Sequence, residues 1–125
     1  MKETIKAKNA PAAIGPYSHA VVAGNLMFLS GQIAINPETG EMPAGVQAQT
    51  AQAIANIKAI LAEKGATLDN VVKTTVYLAE MSLFGEMNEI YAQHFSEPFP
   101  ARSAIAVKEL PKRALVEIEV IAALS

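Results

Sequence analysis

Cysteine is absent from these 125 residues, and so is tryptophan. Without cysteine there are no disulfides, no thiolate nucleophile and no cysteine-ligated metal, and the redox compartment stays open. Histidine is scarce. His19 and His94 lie far apart, with no H-E-x-x-H helix motif around them, so neither a metal nor a cofactor is expected. Charged residues make up only 18%, and the formal net charge of −2 offers nucleic acid no basic face. No apolar run approaches the roughly 20 residues needed to cross a bilayer. The segment from Met1 to Lys6 is of mixed charge without an apolar signal core. No membrane contact is expected, and the cytoplasm is the expected location. G-x-G-x-x-G, P-loop and G-x-S-x-G patterns are all missing. Nucleotide phosphates therefore have no evident cradle, and a serine triad has little support.

What is present is apolar: hydrophobic residues reach 51%. The length suits one domain spanning residues 1–125, with a core of its own. So little polar cover suggests surface hidden in an oligomer. The chain alternates strand and helix signals without a linker. Thr4 to Ala7 reads as an edge strand. Tyr17 to Val22 and Leu26 to Leu29 flank a hairpin signal at Gly24-Asn25, and Ile33 to Ile35 continues the strand pattern. Gly31, inside Ser30-Gly31-Gln32, marks a bulge or a close approach to the backbone. Val46 to Lys64 carries Thr50, Ile54, Ile57 and Leu61 at helical spacing, and Gly65 stops it. Val71 to Ala79 is a β-branched strand. Ser82 is placed to cap a second helix, Leu83 to Phe95, with Leu83, Met87, Ile90, Tyr91 and His94 along its stripe. The order β-β-β-α-β-α-β-β predicts an α+β two-layer domain, a mixed, mostly antiparallel sheet with two helices on one face. The other face also carries apolar groups, and a second copy of the chain is the economical cover.

The last third is the most informative. Ala101 to Val107 and Ala114 to Ile121 alternate like strands across a polar connector, Lys108 to Lys112, and together predict an antiparallel hairpin. A turn centred between Glu109 and Leu110 sets Arg102 opposite Glu117 on one face. Two meanings fit that placement: an ordinary cross-strand ion pair, or a site where Arg102 grips a carboxylate and Glu117 handles protons. With Arg102 nearby, Glu117 should stay ionised. Glu119, on the same strand face, reads as a solvated or interface charge. For Tyr17 the plain alternative is a core aromatic.

P-A-R-S-A-I-A-V, then L-P and L-V-E-I-E-V, resembles the C-terminal signature of the RidA (YjgF-type) reactive-intermediate imine deaminases. A-P-A-A-I-G-P-Y-S, S-G-Q-I, N-P-E-T-G-E, V-V-K-T-T-V-Y-L-A and N-E-I-Y follow the family's order and spacing over essentially the whole chain. The resemblance implies a chorismate-mutase-like fold, a homotrimer with sites between subunits, and cofactor-free hydrolysis of enamines and imines. Substrates of the type 2-aminoacrylate and 2-iminobutyrate would yield 2-keto acids and ammonia. By the same resemblance Arg102 binds the substrate carboxylate and Glu117 positions or activates water. Tyr17 lines the pocket, Gly31 offers its N–H with Ser30 beside it, and Phe84 and Asn88 contribute at the cleft. Many members carry cysteine where this chain has Ala104, a position that alanine can serve through its backbone N–H. Members have also been described as endoribonucleases or translation inhibitors, and a non-catalytic keto-acid-binding protein would share the binding half of the site. Paired histidines and a basic face, which a nuclease would use, are missing.

Overall fold

A computed structural model describes residues 2–125. In chain order they form β1 (Lys2–Ile5), β2 (Ala20–Ala23), β3 (Leu26–Leu29), α1 (Val46–Ala62), β4 (Val71–Leu78), α2 (Phe84–His94), β5 (Ala101–Ala106) and β6 (Val116–Ala123). The strands make one six-stranded sheet in the order β1-β2-β3-β6-β4-β5. All neighbours are antiparallel except β4 and β5, which run parallel. The expected α+β architecture with a mixed, mostly antiparallel sheet is present.

Local chemistry explains the elements. β2 and β3 close through Gly24-Asn25, and Gly24 takes the positive φ of 64° that such a two-residue turn needs. In α1, Val46, Thr50, Ala53, Ile54, Ile57, Ile60 and Leu61 are buried on one stripe, which packs against Val116, Ile118 and Val120 of β6 in a shared core. Burying one such aliphatic side chain contributes roughly 1.5–3 kcal/mol. α1 ends at Ala62, two residues before the expected Lys64, and Gly65 then turns away at φ 67°. Lys64 lies beyond the helix and pairs with Glu3 at 3.1 Å.

Three expectations are corrected. Ile33 to Ile35 is not a strand: only Gln32 bridges to Ile118. The buried Asn56 of α1 instead donates to the carbonyls of Ile33 and Ile35 at 3.1 and 2.9 Å. Those bonds satisfy backbone that the sheet would otherwise have paired. Ser82 does not cap α2. It lies inside a 3-10 turn, Met81–Leu83, that runs straight into Phe84.

The third correction matters most. β5 and β6 do run antiparallel, but they are not neighbours. β4 lies between them, parallel to β5 and antiparallel to β6. The segment containing α2 carries the chain over the sheet from β4 to β5, as a parallel pair requires, and the return lands on the other side of β4. Consequently Arg102 pairs with Thr74 and Glu117 pairs with Tyr77. Thr74 and Tyr77 are three residues apart, so they point to opposite faces. Arg102 lies under α2 and Glu117 on the open face.

That open face carries Leu26, Phe28 and Ile105, all exposed, around Tyr77, Glu117, Glu119 and Ile121. Neither helix covers it.

Candidate active site

Two separate depressions hold the residues singled out by sequence. The first, about 420 Å³, is lined by Asn88, Tyr91, Ala92, Phe99, Pro100 and Arg102. The Arg102 guanidinium lies 4.6 Å over the Tyr91 ring and 5.3 Å from that of Phe84. Its Nη1 donates to Asn88 Oδ1 at 2.7 Å. Tyr91 is itself fixed, with its hydroxyl 2.8 Å from Thr74 Oγ1 and its ring stacked on Phe95. Aromatic faces and an amide therefore hold the guanidinium, while among the described residues no carboxylate pairs with it. A fork so held keeps donors free for a planar anion. Ala104 shares this face two residues along β5, opposite Val76.

The second depression, about 570 Å³, includes Ile14, Tyr17, Ser30, Gly31, Lys112 and Glu117. Tyr17 is 51% exposed, which rules out the core-aromatic alternative. Gly31 is not a simple bulge: a Cβ there would run into the Glu117 carboxylate, so glycine permits the close approach. Ser30 is a tether. Its Oγ donates to the Ser18 carbonyl at 2.7 Å and its N–H to the His19 carbonyl at 2.9 Å. Burial pushes the Glu117 carboxyl above its usual range, with the charge of Glu119 as a second cause. Within one chain the sheet stands between Arg102 and Glu117, so the expected same-face pairing of the two is corrected, and Arg102 of the same chain is not among the causes of this shift.

Among the described residues no three carboxylate or imidazole side chains gather to hold a metal ion. His94 lies elsewhere, in a depression with Lys58 and Asp69; burial first and Lys58 second push its imidazole down.

The endoribonuclease L-PSP family model matches residues 7–124. The chain belongs to this family, which is also the RidA/YjgF family. A RutC family protein of Pyrococcus horikoshii is 54% identical over 98% of both chains. The 2-iminobutanoate/2-iminopropanoate deaminase of Escherichia coli K12 is 47% identical over 98% of both. The crystal structure of E. coli TdcF with bound serine superposes with a TM-score of 0.93 at 41% identity, covering 98% of this chain and 99% of that one.

Three residues of this L-PSP chain gain a part that sequence reasoning missed. His19 is buried: its Nδ1 accepts from the Ala7 N–H at 2.8 Å, and its Nε2 meets the Pro11 carbonyl at 2.7 Å. That pattern requires the neutral Nε2–H tautomer and ties down the loop carrying Tyr17. Tyr91 read only as a core stripe residue, yet it is the platform under Arg102. Lys112 read as connector, yet it lines the second depression. It and Arg113 hold left-handed φ angles of 54° and 56° that only surrounding structure maintains. Of the three, only Tyr91 stood in a motif that the sequence singled out, N-E-I-Y.

Proposed function

We propose that this chain hydrolyses small 2-imino and 2-enamino acids to 2-keto acids and ammonia, as a 2-iminobutanoate/2-iminopropanoate deaminase. The carrying observation is the acid-free guanidinium of Arg102, oriented by Tyr91, Phe84 and Asn88. It suits one small carboxylate. The serine in the TdcF structure carries one such carboxylate.

Hydrolysis also needs a proton acceptor near the imine carbon. Glu117 supplies it, but on the opposite sheet face. A homotrimer resolves this, because the exposed Leu26, Phe28 and Ile105 face calls for cover by other copies. One subunit contributes Arg102, Phe84, Asn88 and the Ala104 backbone, and its neighbour contributes Tyr17, Ser30, Gly31 and Glu117. Water adds to the carbon of the protonated imine and Glu117 takes a water proton, giving a neutral carbinolamine. Glu117 then returns that proton to the nitrogen. As the C–N bond breaks, the carbinol oxygen forms the carbonyl and its proton leaves with ammonia as ammonium. Under this reading the protein works in the cytoplasm, beside enzymes that release such imines.

A ribonuclease reading draws less support. His19 has both ring nitrogens engaged and His94 lies in a different depression, so the two form no acid–base pair.

The test is keto-acid release from imine generated in situ by a threonine dehydratase, with spontaneous decay subtracted. Wild type should accelerate release, and Arg102→Ala should lower kcat/KM by at least about 30-fold, as truncating one member of a desolvated charge pair does. Glu117→Gln should still bind a keto acid but lose about 100-fold or more in turnover. Binding without turnover by wild type would move the assignment to a keto-acid-binding protein.

A further inference from the structure

Tyr77 and Glu119 belong to neither depression, yet they share the face of Glu117. In the β4–β6 ladder Tyr77 stands directly opposite Glu117, and Thr75 opposite Glu119. The Tyr77 hydroxyl bypasses its direct partner and donates to Glu119 Oε1 at 2.7 Å. A phenol has one proton to donate. Glu117 therefore receives none from Tyr77, and among the described residues no other side chain donates to it. Glu119, by contrast, is held in place by that bond. Two residues apart on one strand, the two carboxylates leave Cα atoms only about 7 Å from each other.

The other groups around Glu117 are few. Gly31 approaches as bare backbone from the segment after β3. Lys112 lines the same cavity from the turn between β5 and β6, without an ion pair to Glu117. Beyond β4, Ser103 and Ile105 on β5 bring no charge, and Lys73 lies further along, opposite Ile121. In the proposed trimer, Arg102 of a second copy joins them.

We propose that Tyr77 and Glu119 are positioning residues that act through Glu117: the phenol's hydrogen bond fixes the Glu119 carboxyl group beside the base, so that Glu117 takes up a water proton readily and can return it to the leaving nitrogen. This deepens the deaminase reading and rests on it. The titration trends agree with the geometry. Tyr77 is pushed up, chiefly by its hydrogen bond to Glu119, and so stays a donor. Glu117 is pushed up by burial and then by Glu119. Proton transfer works best when donor and acceptor are poised near the working pH.

The experiment uses the full chain in its native assembly: wild type, Glu119→Gln, Tyr77→Phe and the double variant. Two quantities are read against pH, kcat/KM for imine hydrolysis and the carboxyl carbon resonance of Glu117. With Glu119→Gln the acid limb of the rate profile and the Glu117 titration should both move to lower pH. Tyr77→Phe should move them the same way but less, since the Glu119 side chain stays and only its anchor is lost. The double variant should move them no further than Glu119→Gln alone, the sign of residues acting in series. Profiles of Glu119→Gln that superimpose on wild type, or a rate that falls equally at every pH, overturn the proposal. If Glu119→Gln fails to fold, Tyr77→Phe with unmoved profiles overturns it equally. The resonance separates the two claims. A protein inactive on imines whose Glu117 titration still follows Glu119 loses the deaminase assignment and keeps the coupling.

Discussion

A single methyl group tests the second half of the site. In Gly31→Ala the new Cβ lands on the Glu117 carboxylate. The backbone on either side cannot retreat. Gln32 and Ile118 exchange two hydrogen bonds, at 2.8 and 3.1 Å, one residue from each of the colliding groups. Glu117 is also held opposite Tyr77 in the ladder. What can give way is the glutamate side chain, which has a cavity of about 570 Å³ to swing into. An off-rotamer χ costs about 0.5–1.5 kcal/mol, and replacing glycine by alanine at an unstrained φ returns about 0.4–1 kcal/mol. Stability should therefore change by less than about 1 kcal/mol, a small shift in Tm. Activity should change far more. Displacing a base by about 1 Å costs on the order of 100-fold, or about 2.7 kcal/mol in the barrier. The assay is kcat/KM for imine hydrolysis beside a thermal melt, repeated in a Glu117→Gln background. There the alanine should add little, because the base it displaces is already gone. A Gly31→Ala protein with wild-type kcat/KM would refute the close contact as a feature of the working site. A large loss that persists undiminished with Glu117→Gln would refute Glu117 as the group through which it acts.

Other outcomes follow from the same geometry. Burial, then Glu119, raise Glu117 above its ordinary 4.5, so the folded state favours its protonated form. The stability this group allows is present below the ordinary value and is lost as pH rises through the raised one. In the single chain, apart from a neighbour's Arg102, Glu117→Gln should then melt like wild type near pH 4 and increasingly above it toward pH 8; coincident melts at both ends would contradict the raised proton affinity. His19→Ala strands the Ala7 N–H and the Pro11 carbonyl, and should cost about 1–3 kcal/mol in denaturant titrations while raising KM through the Tyr17 loop. Phe28→Asp sets a charge on the open face opposite Ile121. It should shift the protein to monomer in light scattering and abolish activity in parallel; an active monomer would sink the shared site.

Much of this protein can be read along its chain. The stripe of Ile54, Ile57 and Leu61 needs no partner to declare a helix, because a 3.6-residue period is a local property. The same holds for the alternation of Val116, Ile118 and Val120 and for the Gly24-Asn25 turn. Arg102, Glu117, Tyr17 and Gly31 were singled out as candidates from motif spacing, which records chemistry without recording where the groups meet. Adjacency was not legible. Ala101 to Val107 and Ala114 to Ile121 alternate identically whether they pair with each other or flank a third strand. Alternation describes two faces and says nothing of the neighbour. Only the packed sheet interposes β4, its Thr74, Val76 and Leu78 wholly buried. That one insertion sends Arg102 under α2 and Glu117 to the open face. It also frees the Tyr77 hydroxyl to reach diagonally to Glu119, a choice set by side-chain geometry across strands 42 residues apart in sequence. The sequence alone thus determined the elements and the chemical inventory, through interactions between near neighbours. Tertiary structure decided which face each group took, because strand order is settled by burial of the whole sheet against α1 and α2.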